Sequence, residues 1–69
     1  MQTIRVTVNG AAREVARGRS VAALLGDLGL HPRLVVVEYN REILDRARYG
    51  DTEVRAGDSL EVVHFVGGG

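Results

Sequence analysis

Apolar and polar residues alternate strictly from Thr3 to Val8, placing Ile4, Val6 and Val8 on one face and Thr3, Arg5 and Thr7 on the other. That period of two is the mark of a half-buried strand. Asn9-Gly10 follows, and both residue types accept the positive φ values of a two-residue hairpin turn. Ala12 to Ala16 is therefore predicted to return as a second strand, and the chain to open with a β-hairpin.

The period then changes. Val21, Leu24, Leu25 and Leu28 recur at the i, i+3, i+4, i+7 spacing of one helix face, with Ser20 before them as N-cap and Gly29-Leu30 after them as a left-handed C-cap and its apolar contact. His31-Pro32 cannot continue that helix. Leu34 to Tyr39 is β-branched and apolar enough for a central strand that ends at Asn40. From Arg41 to Tyr49 the pattern is irregular, with Ile43 and Leu44 among charges, and a short strand and a turn are expected there. Gly57-Asp58 marks a further tight turn, and Leu60 to Val66 reads as the last strand, running directly into Gly67-Gly68-Gly69.

Hairpin, helix, strand, excursion and strand give an α+β chain in which one helix covers one face of a mixed four- to five-stranded sheet. In the β-grasp arrangement of these elements, the first and last strands lie side by side and parallel in the middle of the sheet. The expected core is Ile4, Val6, Val8, Leu24, Leu25, Leu28, Val35, Val37, Leu60 and Val62. Residues 1–66 would form the β-grasp domain and residues 67–69 a flexible glycine tail projecting from it.

Length and composition agree with that plan. A chain of 69 residues, 45% apolar and 26% charged, supports one ordinary globular domain, neither disordered nor membrane-spanning. A domain of that size buries only about 60% of the surface its unfolded chain exposes. Nine acidic residues balance nine basic ones. The strong positive field that captures nucleic-acid phosphate is therefore missing, and nucleic acid is not expected as a partner. The charges are uneven, with four Arg against one Glu in residues 1–19 and a net excess of three acidic groups in residues 51–69. The latter reads as a solvated face or as a patch that steers a basic partner toward the C-terminus. Met1-Gln2-Thr3-Ile4 is not a charged leader followed by a long apolar run, so a cytoplasmic setting is expected.

The side chains offer little chemistry. All nine basic residues are Arg and there is neither Lys nor Cys, so no side chain can form a Schiff base, thioester or persulfide. There is no HExxH motif, no phosphate-cradling glycine loop and no Ser/His/Asp set, so neither a catalytic residue nor a metal site is assigned. His31, before Pro32, reads as a loop residue, and His64 as a rim or packing residue. Glu38, Glu42 and Asp45 are interleaved with Arg41, Arg46 and Arg48, which points to surface pairing rather than to acid-base chemistry.

The C-terminus differs. A terminal carboxylate on Gly69 is an unhindered nucleophile, and glycines allow the extension and close backbone approach needed to thread a narrow channel to ATP on another enzyme. From Val66 to Gly69 the chain can reach roughly 13 Å. Terminal glycines elsewhere are often frayed linker; here they follow a strand directly and read as a tether ending in a reactive group. Val63 and Phe65 fall on the sheet face that a single helix leaves uncovered, as a docking patch or as simple edge packing.

Asn9-Gly10, the run Val37-Glu38-Tyr39-Asn40-Arg41-Glu42-Ile43, Arg48-Tyr49, Gly57-Asp58 and above all Val63-His64-Phe65-Val66-Gly67-Gly68-Gly69 together resemble the ThiS-type sulfur carriers of thiamine biosynthesis, which are ubiquitin-like β-grasp proteins. The resemblance covers essentially the whole chain. It implies a carrier used by enzymes, not an enzyme. A partner adenylating enzyme would use ATP and magnesium, neither bound by this chain, to convert the Gly69 carboxylate to an acyl adenylate. Sulfur from a cysteine desulfurase system would then give a Gly69 thiocarboxylate, which would pass its sulfur to thiazole synthase. Gly67 and Gly68 would give access to the channel, and Val63, Phe65 and Val66 would form part of the docking surface.

Three other functions share this chemistry or fold. The small subunit of molybdopterin synthase has the same Gly-Gly end and thiocarboxylate. A ubiquitin-like protein modifier would join the same carboxylate to a target lysine. A non-covalent β-grasp binding module would not need the glycines at all.

Overall fold

The computed structural model describes residues 2–64, and Phe65, Val66 and the three glycines lie outside the described residues. Within them, strands β1 (Thr3–Val8), β2 (Ala11–Ala16), β3 (Val35–Tyr39), β4 (Glu42–Ile43) and β5 (Ser59–His64) form one mixed sheet in the order β2-β1-β5-β3-β4. Helix α1 (Val21–Asp27) packs across one face. The structure thus has the α+β, β-grasp plan, with five strands.

β1 and β2 pair antiparallel from Thr3↔Ala16 to Val8↔Ala11, joined at Asn9 (φ 51°) and Gly10 (φ 81°). Two successive positive φ values make a turn whose twist matches the flanking strands. β5 then lies parallel to β1 through Thr7↔Ser59 and Val8↔Leu60, and antiparallel to β3 from Val35↔His64 to Tyr39↔Leu60. The first and last strands are therefore central, as the element order requires.

The helix is closed at both ends. Ser20 Oγ accepts from the Ala23 amide at 3.0 Å. At the other end the Leu30 amide reaches the Leu25 carbonyl (2.9 Å) and the Gly29 amide the Gly26 carbonyl (3.0 Å), with Gly29 at φ 75°. That pair of bonds is a Schellman closure, and Leu30 packs on the core beside it.

Val6, Val8, Leu24, Leu25, Val35, Val37 and Leu60 are buried as expected, whereas Ile4, Leu28 and Val62 are half-buried at the core's margin. Val15, Val21, Tyr49 and Val54 join them. Tyr49 (3% exposed) and Val54 (1% exposed) come from the excursion after β4, which folds back over the start of the helix. There the Val21 amide donates to Thr52 O (2.8 Å) and the Ala22 amide to Tyr49 O (2.9 Å). The helix's first amides are thus satisfied by protein, leaving no open donors at that end. Leu34, expected in β3, belongs instead to a 3-10 turn (Pro32–Leu34) and is exposed, because Pro32 fixes the turn and delays the strand by one residue.

Candidate functional site

The site is built around β5, the last strand of the described residues. Core and outer residues alternate along this strand, with Leu60 fully buried, Val62 half-buried, and Glu61 and Val63 exposed. Val63 (59% exposed) stands opposite Val36 on β3, and Ile43 (67% exposed) lies opposite Glu38 on the same outer face. Since α1 occupies the other face, Val63 and Ile43 have no cover among the described residues, on a face they share with Glu38 and Glu61, and Val63 is exposed as expected. Phe65 and Val66, the other expected docking residues, lie outside the described residues, as do Gly67, Gly68 and Gly69.

The expected surface pairing of Glu38, Glu42 and Asp45 with Arg41, Arg46 and Arg48 is not what forms. Among the described residues the ion pairs are Arg5–Glu14 (3.9 Å) and Arg19–Asp27. Arg46 instead donates to backbone carbonyls, Nε to Pro32 O (3.0 Å) and Nη2 to Val35 O (3.3 Å), tying the excursion to the start of β3. Glu38 sits directly across from Glu61, a like-charged cross-strand pair on the outer face. His31 caps its own turn, with Nδ1 accepting from the Arg33 amide (3.1 Å), and His64 is exposed at the end of β5 as described.

Two polar arrangements escaped the sequence pattern. Asn9, in the hairpin turn, binds Val62 through both ends of its amide: Oδ1 accepts from the Val62 amide (2.7 Å) and Nδ2 donates to the Val62 carbonyl (3.2 Å). Asp58 gathers the hydroxyl of Tyr39, the Asn40 amide group (3.2 Å) and the Arg55 backbone amide (2.7 Å) at the start of β5. Burial alone would raise the Asp58 carboxyl, but those donors and the Arg55 charge outweigh it and hold it below its ordinary range. Burial, the bond to Asp58 and the Asp58 charge push the Tyr39 phenol up to about 12. Turn-forming residues at Asn9, Asn40 and Asp58 were visible in the sequence; their long-range partners were not.

The ThiS family model matches residues 6–69, which takes in the sheet from the middle of β1, the helix and the glycine run. The chain belongs to the ThiS family. This ThiS-family chain is 42% identical over 50 residues to the sulfur carrier protein ThiS of Bacillus subtilis, covering 72% of this chain and 76% of that one. It is 42% identical over 66 residues to a thiazole synthase of Paramagnetospirillum magneticum and 36% identical over 66 residues to one of Magnetococcus marinus. Each of those matches takes in 96% of this chain but only 20% of the relative, so the chain spans about a fifth of the length of these thiazole synthases. A crystal structure of the thiamine biosynthesis protein ThiS from Geobacter metallireducens superposes with a TM-score of 0.81 at 38% identity, covering 96% of this chain and all of that one. Its solution structure gives 0.80 at the same identity, covering 96% of this chain and 88% of that one. No helix among the described residues is long and apolar enough to cross a membrane.

Proposed function

We propose that this ThiS-family chain carries sulfur for thiazole formation in thiamine biosynthesis, on the Gly69 carboxylate, as a cytoplasmic substrate of other enzymes. The observation that carries this reading is the glycine run, matched by the family model and following in sequence three residues after the end of a strand fixed in the centre of the sheet. The absence of Cys and Lys leaves a carboxylate as the group on which sulfur can be held as an acyl derivative. The reading requires Gly69 to bear a free carboxylate.

The chemistry is an acyl activation followed by substitution. A Gly69 carboxylate oxygen attacks the α-phosphorus of ATP on the adenylating enzyme, with magnesium there balancing the phosphate charge, and pyrophosphate leaves. The terminal sulfur of a persulfide supplied by a cysteine desulfurase system then displaces AMP. A thiol reduces the resulting acyl disulfide and releases the thiocarboxylate. Gly67 and Gly68 let the backbone approach ATP closely, while Val63, Phe65 and Val66 seat the folded body on the partner.

Thiazole synthase is the proposed acceptor. Relatives of that name contain a segment matching this chain within a protein about five times longer, and joining two activities in one polypeptide supports their acting together. The thiamine names of the relatives favour this acceptor over molybdopterin synthesis and over protein modification. ATP–pyrophosphate exchange by the thiamine adenylating enzyme tests the activation step. Exchange should depend on this chain and vanish when Gly68 and Gly69 are removed; exchange that persists after their removal would exclude the carboxylate.

A further inference from the structure

We propose that Asn9 is a positioning residue for sulfur loading, holding β5 in line beyond the end of β1 so that the strand leading to the glycine segment is fixed as far as His64. This rests on the reading of Gly69 as the activated group. The parallel ladder between β1 and β5 ends at Val8↔Leu60, after which the chain turns away at Asn9. The Asn9 backbone amide makes one more bond, to Leu60 O (2.9 Å).

Beyond that point the side chain takes over. A carboxamide carries the same donor and acceptor as a peptide group. Asn9 places its Oδ1 on the Val62 amide and its Nδ2 on the Val62 carbonyl, across 53 residues of sequence, so that one side chain supplies the acceptor and the donor that two further residues of a parallel β1 would supply. β3 holds the opposite edge of β5 as far as Val35↔His64. Val62 thus turns both of its backbone groups to Asn9, while its neighbours Glu61 and Val63 face β3, so β5 is held on both edges two residues before its described end. Without the carboxamide, the β1-facing edge of Val62 would be left to water.

The residue type is accounted for by the two demands together. Asn tolerates the left-handed φ of 51° that the turn needs, and its side chain supplies both halves of the clamp. Asp would keep the acceptor and lose the donor, while Gly would keep the turn and lose both. Reaction through a narrow channel depends on how the reacting group is delivered, and losing orientation at the base of the tether lowers its effective concentration at the partner's site. The docking surface lies elsewhere, on the face of Val36, Ile43 and Val63, so delivery and docking are separable.

The experiment compares wild type, Asn9→Gly and Asn9→Asp in steady-state adenylation by the thiamine adenylating enzyme, with amide hydrogen exchange at Val62 as the physical readout. Asn9→Gly should lose Val62 protection and lower kcat about tenfold while KM stays within about twofold, with Asn9→Asp between it and wild type. Gly18→Ala, which strains a turn at φ 89° at the opposite end of the β1–β2 hairpin from Asn9, controls for loss of stability and should keep wild-type kcat. Wild-type kcat in Asn9→Gly, or an equal loss in Gly18→Ala, would overturn the positioning role and leave the carrier reading standing. A wild-type chain that is not adenylated at all would overturn both.

Discussion

Tyr39 donates its phenolic hydrogen to the carboxylate of Asp58, nineteen residues later in the chain, and so ties the end of β3 to the turn that begins β5. Asn40 reinforces the same junction, with Oδ1 accepting from the Ser59 amide (2.9 Å) and Nδ2 donating to Asp58. The turn at Asp58 sets where β5 starts, and with it the register of the strand that leads to the glycines.

This junction makes stability depend on pH at both extremes. Asp58 titrates lower in the folded chain than when unfolded, so its contribution is present above the ordinary carboxylate range and is lost as pH falls through it. Tyr39 titrates higher, from 10.0 to about 12, so its contribution is complete below pH 10 and is lost as pH rises toward 12. Denaturant melts across pH should show both losses. Asp58→Asn should flatten the acid limb, and Tyr39→Phe should remove part of the alkaline limb and cost about 1–2 kcal/mol at neutral pH. An unchanged acid limb in Asp58→Asn would assign that limb to other carboxylates.

The opposed Glu38 and Glu61 place like charges directly across adjacent strands, an arrangement that destabilises a sheet. Glu61→Lys converts repulsion to attraction and should raise stability by about 0.5 kcal/mol at low salt, with the gain shrinking as salt is added. Thermal melts at two ionic strengths check this; equal gains at both would show that packing, not charge, is responsible.

Val63 is mostly exposed on the open sheet face, so replacing it with Asp removes apolar surface without opening a cavity. Val63→Asp should fold normally and raise the KM for adenylation about tenfold, with kcat little changed. Phe65→Asp should act in the same sense. Normal KM in both would move the docking surface elsewhere.

Where local chemistry decides the structure, the sequence was a sufficient guide. Asn9-Gly10, the Ser20 cap and the Gly29-Leu30 closure each act within a few residues, and the alternation of Thr3 to Val8 and Leu60 to Val63 assigned the sheet faces. The excursion from Asp45 to Val54 was not legible, because Tyr49 and Val54 are buried by contacts with a helix some thirty residues earlier and carry no periodic pattern of their own. The same holds for Arg46, whose guanidinium binds distant carbonyls although nearby carboxylates suggested ion pairs. Within the candidate site, the outward placement of Val63 followed from alternation. The Asn9 clamp on Val62 did not, since it needs the parallel pairing of the two ends of the chain before the two residues can meet.

The most direct test of the carrier reading is the intact mass of the protein after incubation with the thiamine adenylating enzyme, ATP, magnesium and a persulfide source with thiol. A shift corresponding to one oxygen replaced by one sulfur, located to Gly69 by fragmentation and absent from a chain truncated before it, is the predicted result. An unshifted mass under conditions in which the same enzyme loads the Bacillus subtilis ThiS, or sulfur found anywhere but Gly69, would contradict it.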